Sequence, residues 1–224
     1  MEIKYNLEKL KKIIPSHVQL IAVSKTKSEI DILEAYNSGQ RVFGENKAQE
    51  MAGKYQNLPK DIQWHFIGHL QTNKIRHISP FVTLIHSVDS AKLLLAINKD
   101  AKKNNRIIDC LLQFYIANEE SKFGFNLEEA NSLLNSDDYK YMNNVRIVGV
   151  MGMATYTENK EHIRNEFKQL AEIFRKIKNN YFNNDIYFKE ISMGMSADYQ
   201  IAIEEGSSMI RIGSSIFGER NYNI

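Results

Sequence analysis

The chain has 224 residues, 43% hydrophobic and 25% charged, an ordinary globular composition that excludes disorder and collagen-like repeats. A net charge of +2 is too small for a general nucleic-acid binder, and the longest clean apolar run, Leu93 to Ile97, is far short of a membrane span. The single cysteine, Cys110, allows neither an intrachain disulfide nor a Cys-rich zinc site, and Met1-Glu2-Ile3-Lys4 carries no signal-peptide pattern, so a cytoplasmic protein is expected.

Residues 2–14 place Ile3, Leu7, Leu10 and Ile14 on one helical face. Val18 to Val23 reads as a buried strand, and Ser28 with Asp31 forms a capping signal for a helix that Gly39 closes. Val42-Phe43, Trp64 to Ile67 and Val82 to His86 are the next strands, with helices over 46–55 and 71–78 between them. Asp89 or Ser90 caps a helix reaching about Asn104, Ile107 to Ile116 is the longest strand, and Asn126 caps a helix to about Asn135. Val145 to Val150 is a strand. Ile163, Phe167, Leu170, Phe174 and Ile177 then mark the clearest helix, over 158–178. Tyr187 to Ile191 is a strand, Ser196 caps a helix ending at Gly206, and Met209 to Ile212 is the last strand.

Strands alternating with helices must pair in parallel, because each helix returns the chain to the same edge. Eight such units predict a single-domain (β/α)8 TIM barrel over residues 1–224, with the N-terminal helix 2–14 packed on it. A doubly wound open sheet is the runner-up. No G-x-G-x-x-G follows the first strand and no G-x-x-x-x-G-K-[ST] occurs.

In a barrel the chemistry lies past the carboxyl ends of the strands. Lys25 ends the first strand. It is either a strand-end lysine reaching water or a partly desolvated amine able to attack a carbonyl carbon. Ser196, in Ser192-Met-Gly-Met-Ser196, is placed at a helix start suited to an anion. Arg211-Ile-Gly213-Ser214 ends the eighth strand, where many barrels bind phosphate. Asn46 follows the second strand as a ligand-facing amide or a helix cap. His65 and His69 are four apart, but Gly68 lies between them and no acidic partner is placed, so no metal site is expected. The Met151–Met153 and Met193–Met195 pairs are packing residues that could wall a ring. An amine and a phosphate site together suit pyridoxal 5′-phosphate, or a phosphosugar.

Five blocks then carry a resemblance: Val23-Ser-Lys25-Thr26, Phe43-Gly-Glu-Asn46, Trp64-His-Phe-Ile-Gly68-His-Leu-Gln71-Thr-Asn-Lys74, Met193-Gly-Met-Ser196, and Ile210-Arg-Ile-Gly213 with Ile216-Phe-Gly218. In order and spacing the sequence resembles the YggS/PROSC pyridoxal phosphate homeostasis proteins over nearly its whole length. The resemblance implies a barrel like the N-terminal domain of alanine racemase. It implies pyridoxal phosphate held as a Schiff base on Lys25, with Ser196, Gly213 and Ser214 at the phosphate, Arg211 at the pyridine nitrogen and Asn46 beside the ring. Ser214 and Thr72 stand where the family commonly has threonine and serine, and both keep the hydroxyl.

The function expected on this basis is a carrier or buffer in intracellular vitamin B6 homeostasis. Pyridoxal-phosphate-dependent apoenzymes are candidate recipients, and the protein is expected to be a monomer or weak dimer without nucleic-acid or membrane partners. The alternative is a racemase or weak lyase. Arg211 disfavours a protonated ring nitrogen, and with it the stronger electron sink. Twelve residues follow Ile212, so the C-terminal domain that brings a tyrosine base in alanine racemase is expected to be absent. Tyr156, Tyr199 and Tyr222 are the tyrosines near the expected mouth, with surface or packing roles favoured.

Overall fold

Eight parallel strands close into a barrel in simple chain order, each beside its sequence neighbours, with β8 completing the circle against β1. They are β1 Gln19–Val23, β2 Val42–Glu45, β3 Gln63–Phe66, β4 Leu84–Val88, β5 Ile108–Gln113, β6 Val145–Met151, β7 Glu190–Ser192 and β8 Met209–Ile212. The helices are α1 Glu2–Ile13, α2 Glu29–Asn37, α3 Ala48–Asn57, α4 Ala91–Lys103, α5 Leu127–Asn135, α6 Asp137–Lys140, α7 Lys160–Tyr181, α8 Tyr199–Glu204 and α9 Ser214–Phe217. These come from a computed structural model, which describes residues 2–117 and 123–218. The expected (β/α)8 architecture is the one observed.

The two-residue period of the strands sorts side chains into two cores, interrupted on β6 where the pairing with β5 shifts register beside Gly149. Ile21, Val42, Leu84, Leu111, Val148, Met151 and Met209 face inward and form an apolar plug inside the barrel. Their alternates, such as Ala22, Phe43, Trp64, Phe66 and Ile85, join the larger core beneath the helices. Helix α1 buries Ile3, Leu7 and Leu10 and packs against α2 and α9. The capping boxes expected at Ser28 and Asn126 are both formed.

Several boundaries differ from the sequence reading. Strand β4 starts at Leu84 rather than Val82, because the Val82 N–H is already bonded to the Ile78 carbonyl in the preceding turn. The shift puts His86 in the middle of the strand. Strand β7 is Glu190–Ser192 rather than 187–191: Ile186 is exposed, and Tyr187 lies on the surface under the Arg146 guanidinium, 3.9 Å from its ring centroid. The segment 71–78 is a 3₁₀ turn, Thr72–His77, and the short helix α6 was not expected. Ser196 is not a helix cap. Met195 N–H is bonded to Asp198 Oδ1, and Met195 O accepts from Asp198 and Tyr199 N–H, so a tight turn intervenes and α8 begins only at Tyr199.

Candidate functional site at the mouth of the barrel

The carboxyl ends of the strands open onto a cavity of about 1160 Å³, and Lys25, Asn46, Ser196, Arg211, Gly213 and Ser214 all line it. The six come from four separate stretches of chain, after β1, β2, β7 and at the end of β8. Val23 and Arg211 share the inward parity of Ile21 and Met209, and Lys25 follows two residues beyond Val23, so Lys25 and Arg211 line one space.

Arg211 is buried. One guanidinium nitrogen, Nη1, donates to Ser192 Oγ at 2.6 Å and Nη2 donates to the Gly152 carbonyl at 3.1 Å. Burial pushes its pKa down to about 10, which Asp198 offsets in part. Gly213 lies against β1, and a Cβ there would come within 3.2 Å of the Val23 carbonyl oxygen. Ser214 is exposed at the start of α9.

Asn46 does not cap α3: the cap position is Lys47. Its Oδ1 is instead buried without a hydrogen-bond partner. Gly68 presses on the Asn46 backbone, where a Cβ would stand 2.3 Å from the Asn46 carbonyl oxygen, so only glycine allows the approach of the two strand ends.

The chain on either side of Lys25 is clamped by a charged group of residues that the sequence reading passed over. Ser24 Oγ donates to Glu45 Oε1 at 2.6 Å, and the Thr26 N–H donates to Glu50 Oε1 at 2.7 Å. Lys54 ties the two carboxylates together, at 2.8 Å to Glu45 and 2.7 Å to Glu50, and donates to the Ser24 carbonyl at 2.8 Å. Burial pushes the Glu45 carboxyl up, and Lys54 and Ser24 pull it part of the way back. Burial also opposes the charge on Glu50, but hydrogen bonds from Lys54 and Thr26 outweigh it and hold the carboxyl low. Thr26 has a φ of 65°, in the left-handed region that a β-branched residue rarely adopts. The Glu50–Lys54 spacing of four on a helix was the readable signal.

Inside the barrel a second set of polar groups runs toward the cavity. His65 Nδ1 is 3.0 Å from His86 Nε2, and His86 Nδ1 is 2.8 Å from Ser192 Oγ, the acceptor of Arg211. Burial holds His65 down at about 3 and His86 well below its ordinary value, the latter with help from His65 and Arg211. Both imidazoles therefore stay neutral in the folded protein and take up a proton on unfolding below about pH 6.5. Their contribution to stability is complete above that pH and falls by about 1.4 kcal/mol per pH unit for each histidine as the pH drops toward the folded values. His65→Asn is expected to flatten the acid limb of stability against pH by about one proton between about pH 6 and 4. Denaturant melts across that range read the slope, and an unchanged slope would rule out the buried neutral state.

His65 and His69 do not act together, since His69 sits at the rim with Nδ1 3.0 Å from Asp89 Oδ2. Among the described residues no three His, Cys, Asp or Glu side chains gather as a metal set. Met153, Met195 and Tyr156 also line the cavity, Tyr156 being 94% exposed, and Tyr222 lies outside the described residues.

With this geometry in place, a family model described as the alanine racemase N-terminal domain matches residues 1–221. The pyridoxal phosphate homeostasis protein of Aquifex aeolicus is 40% identical over 206 residues, 91% of this chain and 88% of the relative. The protein of the same name from Homo sapiens is 37% identical over 214 residues, 92% and 78% of the two chains. The chain belongs to the pyridoxal phosphate homeostasis family. Among solved structures, PipY of Synechococcus elongatus with PLP bound superposes with a TM-score of 0.86 at 33% identity, covering 96% of this chain and all of PipY (100%). The resemblance read from the five sequence blocks is thus the family found.

Proposed function

We propose that this protein binds pyridoxal 5′-phosphate at the barrel mouth through a Schiff base to Lys25 and serves as a carrier or buffer in intracellular vitamin B6 homeostasis. The observation that carries the reading is one cavity lined by a lysine amine, a buried guanidinium and an amide oxygen without a partner. The residues present fit the group. Asn46 Oδ1 is an orphaned buried acceptor at the cavity wall, a polar atom whose burial costs free energy until something meets it. Gly213 keeps the wall clear of a side chain, and the N–H groups of Ser214 and Ser215 precede the first bond of α9, Ile216 N–H to Gly213 O. Ser196 stands in the matching turn after β7. PipY with PLP bound, and the relatives' shared name, support the same reading.

The bound group supplies an aldehyde carbon and an electron-withdrawing pyridine ring. Lys25 provides the amine that attaches to it. Ser196, Gly213 and Ser214 receive the phosphate. Arg211, which gives hydrogens and accepts none, faces the ring nitrogen and keeps a proton off it. That weakens the ring as an electron sink and favours holding the cofactor over turning it over. On this reading it acts in the cytoplasm, with pyridoxal-phosphate-dependent apoenzymes as candidate recipients. Among the described residues no helix is long and apolar enough to cross a membrane.

The test is the visible absorbance of the purified protein beside Lys25→Ala. Wild type is expected to be yellow and to bleach with borohydride, with the label trapped on Lys25, while the variant stays colourless. Wild type that remains colourless with added pyridoxal phosphate would overturn the reading in favour of a phosphosugar ligand.

A further inference from the structure

The polar groups inside the barrel dictate where their hydrogens lie. Arg211 can only donate, so Ser192 Oγ accepts from it at 2.6 Å. The Ser192 hydroxyl has one hydrogen of its own, and His86 Nδ1, 2.8 Å away, is the acceptor the structure offers it. His86 Nδ1 is then bare and its proton sits on Nε2, which donates to His65 Nδ1 at 3.0 Å. His65 in turn carries its proton on Nε2. The opposite direction leaves the serine hydrogen with nothing to bond in a buried site, a loss of about 1–3 kcal/mol. All the bonds point the same way, from Arg211 to His65, so each polarises the next.

The chemistry of the chosen residues matters as much as their geometry. Lower in the barrel the same inward positions carry Ile21, Leu84 and Met209, which fill space at no polar cost. At the level of His86 and Ser192 the barrel instead holds buried polar groups, and neither is an acid. A carboxylate at either place would neutralise the guanidinium. A serine backed by an uncharged imidazole orients it and leaves its charge intact.

We propose that His86 is a positioning residue: held as the Nε2–H tautomer, with Nδ1 accepting from Ser192 and Nε2 donating to His65, it holds Ser192 and, through it, aims the Arg211 guanidinium at the cavity without neutralising it. The ligand side of this inference rests on the proposed cofactor reading; the tautomers do not.

Two measurements separate them. In the unliganded protein with labelled imidazoles, nitrogen spectra are expected to show His65 and His86 neutral, protonated on Nε2, and unchanged between about pH 5 and 8. An Nδ1-protonated or charged ring at His86 would overturn the proposal. In protein loaded with pyridoxal phosphate, His86→Leu and Ser192→Ala are expected to keep the borohydride label on Lys25, shift the visible band and lose the cofactor about tenfold faster. His86→Asn, whose Oδ1 lies near the lost Nδ1, is expected to recover the wild-type band and a loss rate within about twofold. Wild-type band and loss rate in Ser192→Ala would overturn the relay even if His86→Leu failed to fold. Absence of label on Lys25 in wild type would instead overturn the cofactor reading, with the tautomers still measured.

Discussion

Arg211→Met is expected to weaken pyridoxal phosphate retention by about a hundredfold while leaving the cofactor-free protein no less stable than wild type. The two effects have opposite signs for one reason. Arg211 is a buried cation whose hydrogen-bond partners, Ser192 Oγ and the Gly152 carbonyl, are both neutral. Its pKa, pushed down to about 10 from the usual 12.5, corresponds to about 3 kcal/mol against the charged form. Methionine fills similar volume and removes that term, and the cost of an orphaned Gly152 carbonyl, about 1–3 kcal/mol, offsets it. Retention loses a charge-assisted hydrogen bond from a buried guanidinium, hence about 2–3 kcal/mol and the hundredfold. Thermal melts without cofactor and dialysis of the loaded protein read the two halves. A variant that melts well below wild type, or keeps its cofactor, would show that Arg211 serves the fold rather than the ligand.

Lys54→Met is expected to destabilise the protein by about 3–5 kcal/mol, a fall in melting temperature of about 6–20 °C, because it strands the Glu45 carboxylate in the core. Glu45 is fully buried and its Oε2 is already without a partner. Removing both charges in Lys54→Met/Glu45→Leu is expected to restore most of the loss, since a buried ion pair and an apolar pair of similar volume differ little. The restored double variant still lacks the bonds to Ser24 and Thr26's partner Glu50, so Lys25 is less well held and attachment of the cofactor slows. Urea melts give the cycle, and the rate at which the visible band appears gives the second effect. A double variant as unstable as Lys54→Met, or one that attaches the cofactor at the wild-type rate, would count against the clamp.

The barrel was legible because each strand announces itself by short apolar runs and each long helix by its 3.6-residue stripe or its cap, as at Ser28, Asn126 and Ile163 to Ile177. The cavity residues were legible because in such a barrel they can only follow strands. What escaped is what depends on pairing between distant segments. His86 reads as the frayed end of an apolar run until Val82 is seen bonded to the preceding turn. Ser192 reads as loop. Lys54 stands four residues after Glu50 on its helix, but nothing local says that its stem lies buried with its amine on Glu45. Ser196 was given a cap's role on local pattern, and Asp198 took the Met195 N–H instead.

The apolar plug makes the barrel a cup rather than a pipe. Whatever enters from the mouth must leave by it, so loading and unloading share one doorway and exclude each other in time. A molecule seated over the rim would shut out free ligand for as long as it stayed there. Exchange through such an opening admits one ligand at a time, and among the described residues the plug leaves no route from behind.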